Sequence, residues 1–192
     1  MDITNKITKN MIPFPNKKYN IIYADPPFKV ASNYQSNNRK FLNINNYYPT
    51  LTVEQIKNLD VKSITDKDCI LFMWICDSFL KDCIDIIECW GFNYKTIGFN
   101  WIKKYKSGSF CYNFSKYTLK SHEICLIGIK GKLKNLKIKN NIKSLVIAER
   151  TIHSKKPDEV RNRIVELCGD KPRIELFARQ KAEGWDSWGN EV

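Results

Sequence analysis

The sequence predicts an α/β sandwich with a largely parallel sheet, because strand-like and helix-like segments alternate along the chain. Residues 20–24 and 69–75 are short apolar runs, which are typical of strands buried on both faces of a sheet. After the second run, apolar residues recur at helical spacing from Leu80 to Trp90. This succession is a strand–helix unit, the building block of a parallel sheet.

The other elements follow in order. A capping box at residues 52–55 predicts a short helix to about Leu59, and Asp77 is expected to cap the helix that Gly91 ends. A last helix is predicted over residues 157–168, with Pro157 at its first position and Gly169 at its end. The remaining strands are expected at residues 94–101, 123–129, 144–148 and 173–177.

Length and composition indicate one folded domain over residues 1–192, with 43% hydrophobic residues. No apolar run approaches the thickness of a bilayer and the first residues lack an apolar signal core, so we expect no membrane partner. We expect a cytoplasmic location or the interior of a host cell, with the nucleus left open. The seven cysteines are odd in number and lack a C-x-x-C pair, which predicts reduced core thiols and no metal site.

The chain carries a net charge of +12, which favours a polyanionic partner such as nucleic acid. Lysine is abundant together with asparagine and isoleucine, as an A+T-rich coding sequence would give, so the distribution matters more than the total. Two segments are candidates for nucleic-acid contact. The loop predicted over residues 29–49 contains Arg39, Lys40 and Tyr48, and residues 103–117 combine aromatics with Lys103, Lys104 and Lys106. The second segment also fits a solvated lysine turn.

The most informative motif is Asp25-Pro26-Pro27-Phe28, directly after the first predicted strand. Two prolines end a strand because each lacks an N–H for sheet pairing. They present a carboxylate, rigid carbonyls and a ring at the carboxyl end of the strand, where open α/β sheets bind ligands. The alternative is an ordinary turn, with Asp25 as a turn residue and Phe28 in the core.

Two further segments are informative together with this motif: residues 153–159, and residues 175–179 followed by 185–191. In order and spacing, the three segments resemble the N6-adenine methyltransferase family. That family includes the catalytic subunit of the eukaryotic messenger-RNA adenosine methyltransferase and compact phage and bacterial DNA-adenine enzymes. The resemblance covers roughly residues 19–192. It implies a Rossmann-like fold with helices on both faces, S-adenosylmethionine as cofactor, and a catalytic motif that precedes the cofactor motif.

The resemblance also implies roles for the residues. Asp25 and the Pro26 carbonyl would accept hydrogen bonds from the adenine 6-amino group, so that its nitrogen lone pair faces the methyl group. Phe28, where the family usually has Trp, would stack on the base, and Pro27 completes the catalytic motif. The expected cofactor residues are Asp25, Lys156, Phe177, Arg179, Gln180, Lys181, Asn190 and Glu191, and His153 is expected to contact substrate.

Among the cofactor residues, Lys156 would bind the methionine carboxylate, and Asn190 with Glu191 the ribose hydroxyls. The residues for the adenine of the cofactor are expected before residue 20. The implied reaction is methylation of adenine in DNA. The alternatives are the same reaction on RNA, or a catalytically silent nucleic-acid-binding subunit. A homodimer or heterodimer is left open.

Overall fold

The computed structural model describes residues 12–29, 50–113, 117–151 and 155–192. Its strands are β1 (Tyr19–Ala24), β2 (Thr65–Trp74), β3 (Asn93–Lys104), β4 (His122–Lys130), β5 (Leu145–Glu149), β6 (Arg173–Leu176) and β7 (Asp186–Trp188). Its α-helices are α1 (Val53–Lys57), α2 (Leu80–Cys89) and α3 (Asp158–Cys168). Short 3-10 helices span Val61–Ile64, Asp77–Phe79 and Leu133–Asn135.

The strands form one sheet in the order β5-β3-β4-β2-β1-β6-β7. Neighbouring strands are parallel in the pairs β1–β2, β1–β6, β6–β7 and β3–β5. Only the two pairs that contain β4 are antiparallel among the described strands. The predicted α/β fold with a mostly parallel sheet is confirmed, and β4 is the strand that departs from it.

The sheet has a hydrophobic core on each face, because alternate residues of a strand point to opposite sides. In β1, Ile22 and Ala24 belong to the core that α1 and α2 cover, whereas Ile21 and Tyr23 belong to the core that α3 covers. Helices therefore lie on both faces of the sheet. The face covered by α3 is called the α3 face below.

Local signals in the sequence hold where they depend on neighbours along the chain. The capping box forms between Thr52 and Gln55, and Gly91 and Gly169 follow their helices with positive φ angles of 84° and 80°. Asp77 does not cap α2: its carboxylate forms an ion pair with Lys120 at 2.8 Å, and Phe79 occupies the N-cap without a side-chain hydrogen bond. That prediction was wrong because a tertiary ion pair takes the carboxylate.

Strand β7 is absent from the sequence prediction, since three residues carry too little pattern to predict a strand. All seven cysteines are free, and five of them are buried. In the described part of the chain, no helix combines the length and apolar character needed to cross a bilayer.

Candidate active site

The carboxyl ends of neighbouring parallel strands meet at one edge of the sheet. Ala24, the last residue of β1, pairs with Met73 of β2 on one side and with Leu176 of β6 on the other. Leu176 in turn pairs with Trp188, the last residue of β7. The segments that follow these strands therefore emerge side by side. The predicted catalytic motif and the predicted C-terminal cofactor segment lie at this edge, which we call the catalytic edge.

Strand β4 reaches the same edge with its first residues, because it runs antiparallel to β2. Trp74, at the end of β2, pairs with Cys125 near the start of β4. Glu123 alternates with Cys125 and so points to the same face of the sheet. This antiparallel placement brings an acidic side chain to the catalytic edge that the sequence motifs do not include.

Backbone hydrogen bonds fix the turn that follows β1. The Phe28 N–H donates to the Pro26 carbonyl at 3.0 Å, and the Leu51 N–H donates to the Pro27 carbonyl at 2.8 Å. The Pro26 carbonyl keeps a second lone pair for a further donor, since a carbonyl oxygen accepts two hydrogen bonds. Asp25, with 26% of its side chain exposed, is left at the edge of the sheet.

Phe28 lies in a different setting from the one expected for a base-stacking ring. Only 8% of the residue is exposed, and its ring stacks on Phe79 with centroids 5.4 Å apart and planes at 12°. The bridge between Phe28 and Leu51 turns the ring towards the core that α1 and α2 cover. In this structure the ring is packed as a core residue, so the base-stacking role is not what its placement supports.

Four charged side chains form a chain of contacts beside this turn. The Lys156 Nζ lies 2.7 Å from the Asp25 carboxylate and 3.2 Å from that of Glu123. Glu123 also pairs with Lys103. Lys156 and Lys103 lie over the rings of Trp74 and Trp101 at 5.6 and 5.2 Å. We call Asp25, Lys156, Glu123 and Lys103 the charge chain, in which negative and positive groups alternate.

The alternation of charges keeps the two central groups, Lys156 and Glu123, ionised. Burial acts to lower the pKa of Lys156, but the carboxylates of Asp25 and Glu123 outweigh it and raise that pKa. Burial acts to raise the pKa of Glu123, and the ammonium groups of Lys156 and Lys103 overcome it and lower that pKa. Lys156 is therefore a fixed cation and Glu123 a fixed anion at the catalytic edge.

The predicted nucleic-acid-binding lysines divide into two settings. Lys103 is only 7% exposed and its ammonium is held by Glu123, so it is not an exposed phosphate ligand as the sequence predicts. Its position inside β3, where alternate residues point inward, explains the difference. Lys104 is half-buried and Lys106 exposed. Arg39, Lys40, Tyr48 and His153 lie outside the described residues, as does most of the predicted 29–49 loop.

The C-terminal segment packs closely against the end of β6. The Ala178 N–H donates to the Trp188 carbonyl at 3.0 Å, and a Cβ atom on Gly189 would lie 2.4 Å from the Ala178 carbonyl oxygen. Phe177, with a φ of 60°, is the only non-glycine residue with a positive φ in the described part of the chain. Arg179 is half-buried, and the side chains of Gln180, Lys181, Asn190 and Glu191 are exposed. The close approach of Gly189 to Ala178 therefore requires a glycine at position 189.

The segment before β1 lies against this C-terminal region. The Trp188 indole N–H donates to the Ile12 carbonyl at 2.9 Å, and its ring lies 4.5 Å from that of Phe14. The expected binding residues for the adenine of the cofactor precede residue 20, and the described part of that stretch is therefore next to β7.

A second buried ion cluster lies on the α3 face, and of its two charged members the motifs include Glu175 but not Arg161. Arg161 of α3 donates two hydrogen bonds to Glu175 of β6, at 2.7 and 2.9 Å. The Arg161 guanidinium lies over the Tyr23 ring at 5.7 Å, and the Tyr23 hydroxyl accepts a hydrogen bond of 2.6 Å from Trp74. A glutamate between the apolar residues Ile174 and Leu176 is the sequence signal that could have indicated a buried partner.

Comparison with known proteins gives a family match and several relatives. The family model described as MT-A70 matches residues 19–191. The "Type II methyltransferase M.MunI" of a Mycoplasma species is 37% identical over 191 residues, which cover 93% of this chain and 79% of that protein. The human "N(6)-adenine-specific methyltransferase METTL4" is 27% identical over 192 residues, covering 92% of this chain and 38% of that protein.

A plant protein is also similar to the chain, at lower identity. The "N(6)-adenosine-methyltransferase MT-A70-like" of Arabidopsis thaliana is 25% identical over 179 residues, which cover 91% of this chain and 24% of that protein. The chain therefore spans most of the Mycoplasma protein and well under half of the human and plant proteins.

Proposed function

The chain belongs to the MT-A70 family, and from that membership we propose that it transfers a methyl group from S-adenosylmethionine to the 6-amino group of adenine in DNA. The choice of DNA is supported by the type II methyltransferase, which matches nearly the whole chain at higher identity than the eukaryotic adenine and adenosine methyltransferases. The observation that carries the proposal is the contact between Asp25 and Lys156. It joins two motifs that lie 131 positions apart in the sequence at the edge where α/β sheets bind ligands.

The residues at the catalytic edge fit S-adenosylmethionine by the chemistry of their side chains. Lys156 is a buried cation that can pair with the methionine carboxylate, as charge-assisted hydrogen bonds favour. Asn190 and Glu191 are exposed amide and carboxylate groups that can bond the ribose hydroxyls. When bound, the cofactor supplies a methyl group on a positively charged sulfur. Phe177, with its half-buried ring beside Trp188, offers an apolar contact next to these groups.

The chain's own part in the reaction is to hold the adenine amino group. Its nitrogen is a weak nucleophile because its lone pair is delocalised into the ring. The Asp25 carboxylate and the free lone pair of the Pro26 carbonyl can accept its two N–H groups, which favours a nitrogen geometry with an available lone pair. Lys156 fixes the carboxylate at 2.7 Å, so the acceptor is positioned before the base arrives.

The experiment measures transfer of label from radiolabelled S-adenosylmethionine to DNA and, separately, to RNA, with digestion to nucleosides. We expect N6-methyladenine from DNA, and no label with Asp25→Asn, which keeps the shape but loses the charge. Asp170→Asn is the matched control, because Asp170 also pairs with a basic side chain but lies beyond the opposite end of the sheet. Equal labelling by Asp25→Asn would remove Asp25 from the chemistry, and label in RNA alone would reassign the substrate.

A further inference from the structure

Lys103 and Lys156 are buried to a similar degree, with 8% and 10% of their side chains exposed, but they differ in their partners. Lys156 contacts Asp25 in the turn after β1, whereas the ion pair of Lys103 is with Glu123, further from that turn. The Lys103 N–H donates to the Ser121 carbonyl at 2.7 Å, and the Lys103 carbonyl accepts from the Cys111 N–H at 2.8 Å. The backbone is thus held on both sides while the ammonium points to Glu123.

The position of Glu123 gives Lys103 an indirect effect on Lys156. Glu123 lies between the two ammonium groups and contacts both. Coulomb energies are several times larger in a buried site than in water, so the sharing of one carboxylate between two cations changes the field at each. Without Lys103, no second cation would offset the negative potential of Glu123, and Lys156 would be held more tightly between Glu123 and Asp25.

We propose that Lys103 is a positioning residue for the cofactor site: by neutralising Glu123, it leaves the ammonium of Lys156 available to an anionic ligand at the catalytic edge. The inference rests on the proposed function, since the anion is the methionine carboxylate of S-adenosylmethionine. With Lys103 present, the charge chain contains two cations and two anions, and an entering carboxylate can replace one carboxylate contact of Lys156. With Lys103 removed, the same entry adds a negative charge to a site that already has an excess of one.

Two other roles for Lys103 give different outcomes. A phosphate contact would show in DNA binding and its salt dependence, but the burial of the ammonium opposes that role. A merely structural pair would lower stability in Lys103→Met without a specific effect on cofactor affinity. The variants below separate these roles from the proposed one.

The test combines Lys103→Met, which keeps the aliphatic stem but removes the charge, with Glu123→Gln and the double variant. Calorimetric titration with S-adenosylmethionine measures the Kd, and steady-state methylation of DNA separates KM for the cofactor from kcat. We expect Lys103→Met to weaken cofactor binding about tenfold or more, as loss of a charged contact of about 1.4 kcal/mol would give. The double variant should bind the cofactor within about threefold of Glu123→Gln, because removal of Glu123 makes the loss of Lys103 nearly neutral.

Lys57→Met is the matched control, since Lys57 is also a poorly exposed lysine (20% of its side chain) and pairs with Asp85 at 3.4 Å, outside the charge chain. It should leave the cofactor Kd unchanged. The proposal would be wrong if removal of Lys103 weakened cofactor binding by the same factor with and without Glu123. That result, in which Lys103→Met differs from the wild type as much as the double variant differs from Glu123→Gln, would show that Lys103 does not act through Glu123. An unchanged Kd in Lys103→Met, or a reduced salt slope of DNA binding, would also overturn it.

Folding and function are checked separately. If Lys103→Met fails to fold, Lys103→Arg against the wild type and the double variant against Glu123→Gln still decide, because the first comparison keeps the positive charge and the second lacks the carboxylate through which Lys103 is proposed to act. Lys103→Arg should then retain cofactor binding. A wild-type protein that does not bind S-adenosylmethionine would reject the proposed function itself, whereas normal wild-type binding with an additive double variant would reject only the role of Lys103.

Discussion

The two buried ion clusters on the α3 face differ in the cation that each uses. Arg161 holds Glu175 through two hydrogen bonds from one planar guanidinium, a geometry that fixes both partners, and its remaining nitrogen pairs with the more exposed Asp158. In the charge chain, Lys156 is a single ammonium shared between two carboxylates at 2.7 and 3.2 Å. A shared point charge can exchange one partner for another, but a two-bond pair must break both contacts at once. We therefore expect the arginine cluster to stabilise the fold and the lysine cluster to bind a ligand.

The two clusters are close neighbours, which makes their difference informative. Tyr23 and Trp74 stand between them: Arg161 lies over the Tyr23 ring, Tyr23 accepts a hydrogen bond from Trp74, and Lys156 lies over the Trp74 ring. Both clusters therefore share one apolar environment. Their expected difference in role follows from the type of cation and from access to the catalytic edge. Substitutions in each cluster test this difference.

Arg161→Met should have the largest effect on stability. It leaves Glu175 as a buried carboxylate without its two-bond partner, and the loss of one member of such a pair costs about 3–5 kcal/mol. Urea unfolding followed by circular dichroism measures the free energy of unfolding. Lys139→Met is the control, since its exposed ion pair with Glu166 of α3 should contribute about 0–1 kcal/mol.

The double variant Arg161→Met with Glu175→Met tests the reason for that loss. Replacement of both charges by apolar side chains removes the unpaired carboxylate, so most of the stability should return. If the double variant is as unstable as the single one, packing of the arginine stem dominates and the pair is not the source of the effect.

Lys156→Met should show the opposite division between stability and binding. A hydrogen bond to a charged group contributes about 1.5–3 kcal/mol, so we expect the Kd for S-adenosylmethionine to rise by a factor of about ten to a hundred. The loss of stability should be smaller than in Arg161→Met, because Glu123 keeps Lys103 and Asp25 is partly exposed. A stability loss as large as that of Arg161→Met, with unchanged cofactor affinity, would refute the distinction between the clusters.

The pH dependence of stability should also differ in sign between the clusters. The lysines hold the pKa of Glu123 below its ordinary value of 4.5 despite burial, so its stabilising contribution is present above that value and is lost as the pH falls through the lower folded pKa. Burial raises the pKa of Glu175 despite Arg161, so the folded protein takes up that proton first and gains relative stability on acidification.

Unfolding free energies of the wild type, Glu123→Gln and Glu175→Gln between about pH 3 and 6 test this contrast, with about 1.4 kcal/mol expected for each unit of pKa difference. Glu123→Gln should flatten the decline on the acid side, and Glu175→Gln should steepen it. The same change of slope in both variants would show that the two carboxylates are not in opposite settings.

The sequence predicts the parts of this arrangement that depend on neighbours along the chain. The strand before Asp25, the capping box at Thr52 and the glycine ends of the helices at Gly91 and Gly169 follow from local chemistry and are confirmed. Glu123 is not predictable in this way. It reaches the catalytic edge because β4 runs antiparallel, and no local pattern in β4 specifies its direction.

Lys103 shows that a run of lysines in the sequence does not tell which of their side chains are exposed. The sequence groups Lys103, Lys104 and Lys106 as one basic segment, but the two-residue period of β3 turns Lys103 into the protein beside Glu123. Phe28 shows the same limit, since its backbone bridge to Leu51 decides that the ring joins the core. In both cases a contact with a residue distant in sequence, Glu123 for Lys103 and Leu51 for Phe28, accompanies the buried position.

The smallest predicted effect concerns the lysines of that run that remain accessible. Lys104 is half-buried and Lys106 exposed beside the carboxyl end of β3, on the side of the sheet where substrate would enter. If they contact phosphates, charge reversal at both should reduce the slope of log K against log salt for DNA binding by about one to two, because each phosphate contact contributes about 0.9. The catalytic constant should change little.

The matched control reverses Lys132 and Lys134, which are exposed and follow the opposite end of β4. The two double variants carry the same net charge, so any difference in slope reports position and not the overall excess of +12. An equal reduction in both variants would mean that DNA is attracted by the whole lysine-rich surface. A reduction confined to Lys104 and Lys106 would place the DNA backbone at the catalytic edge, beside the shared ammonium of Lys156, and not over the arginine cluster that holds the fold.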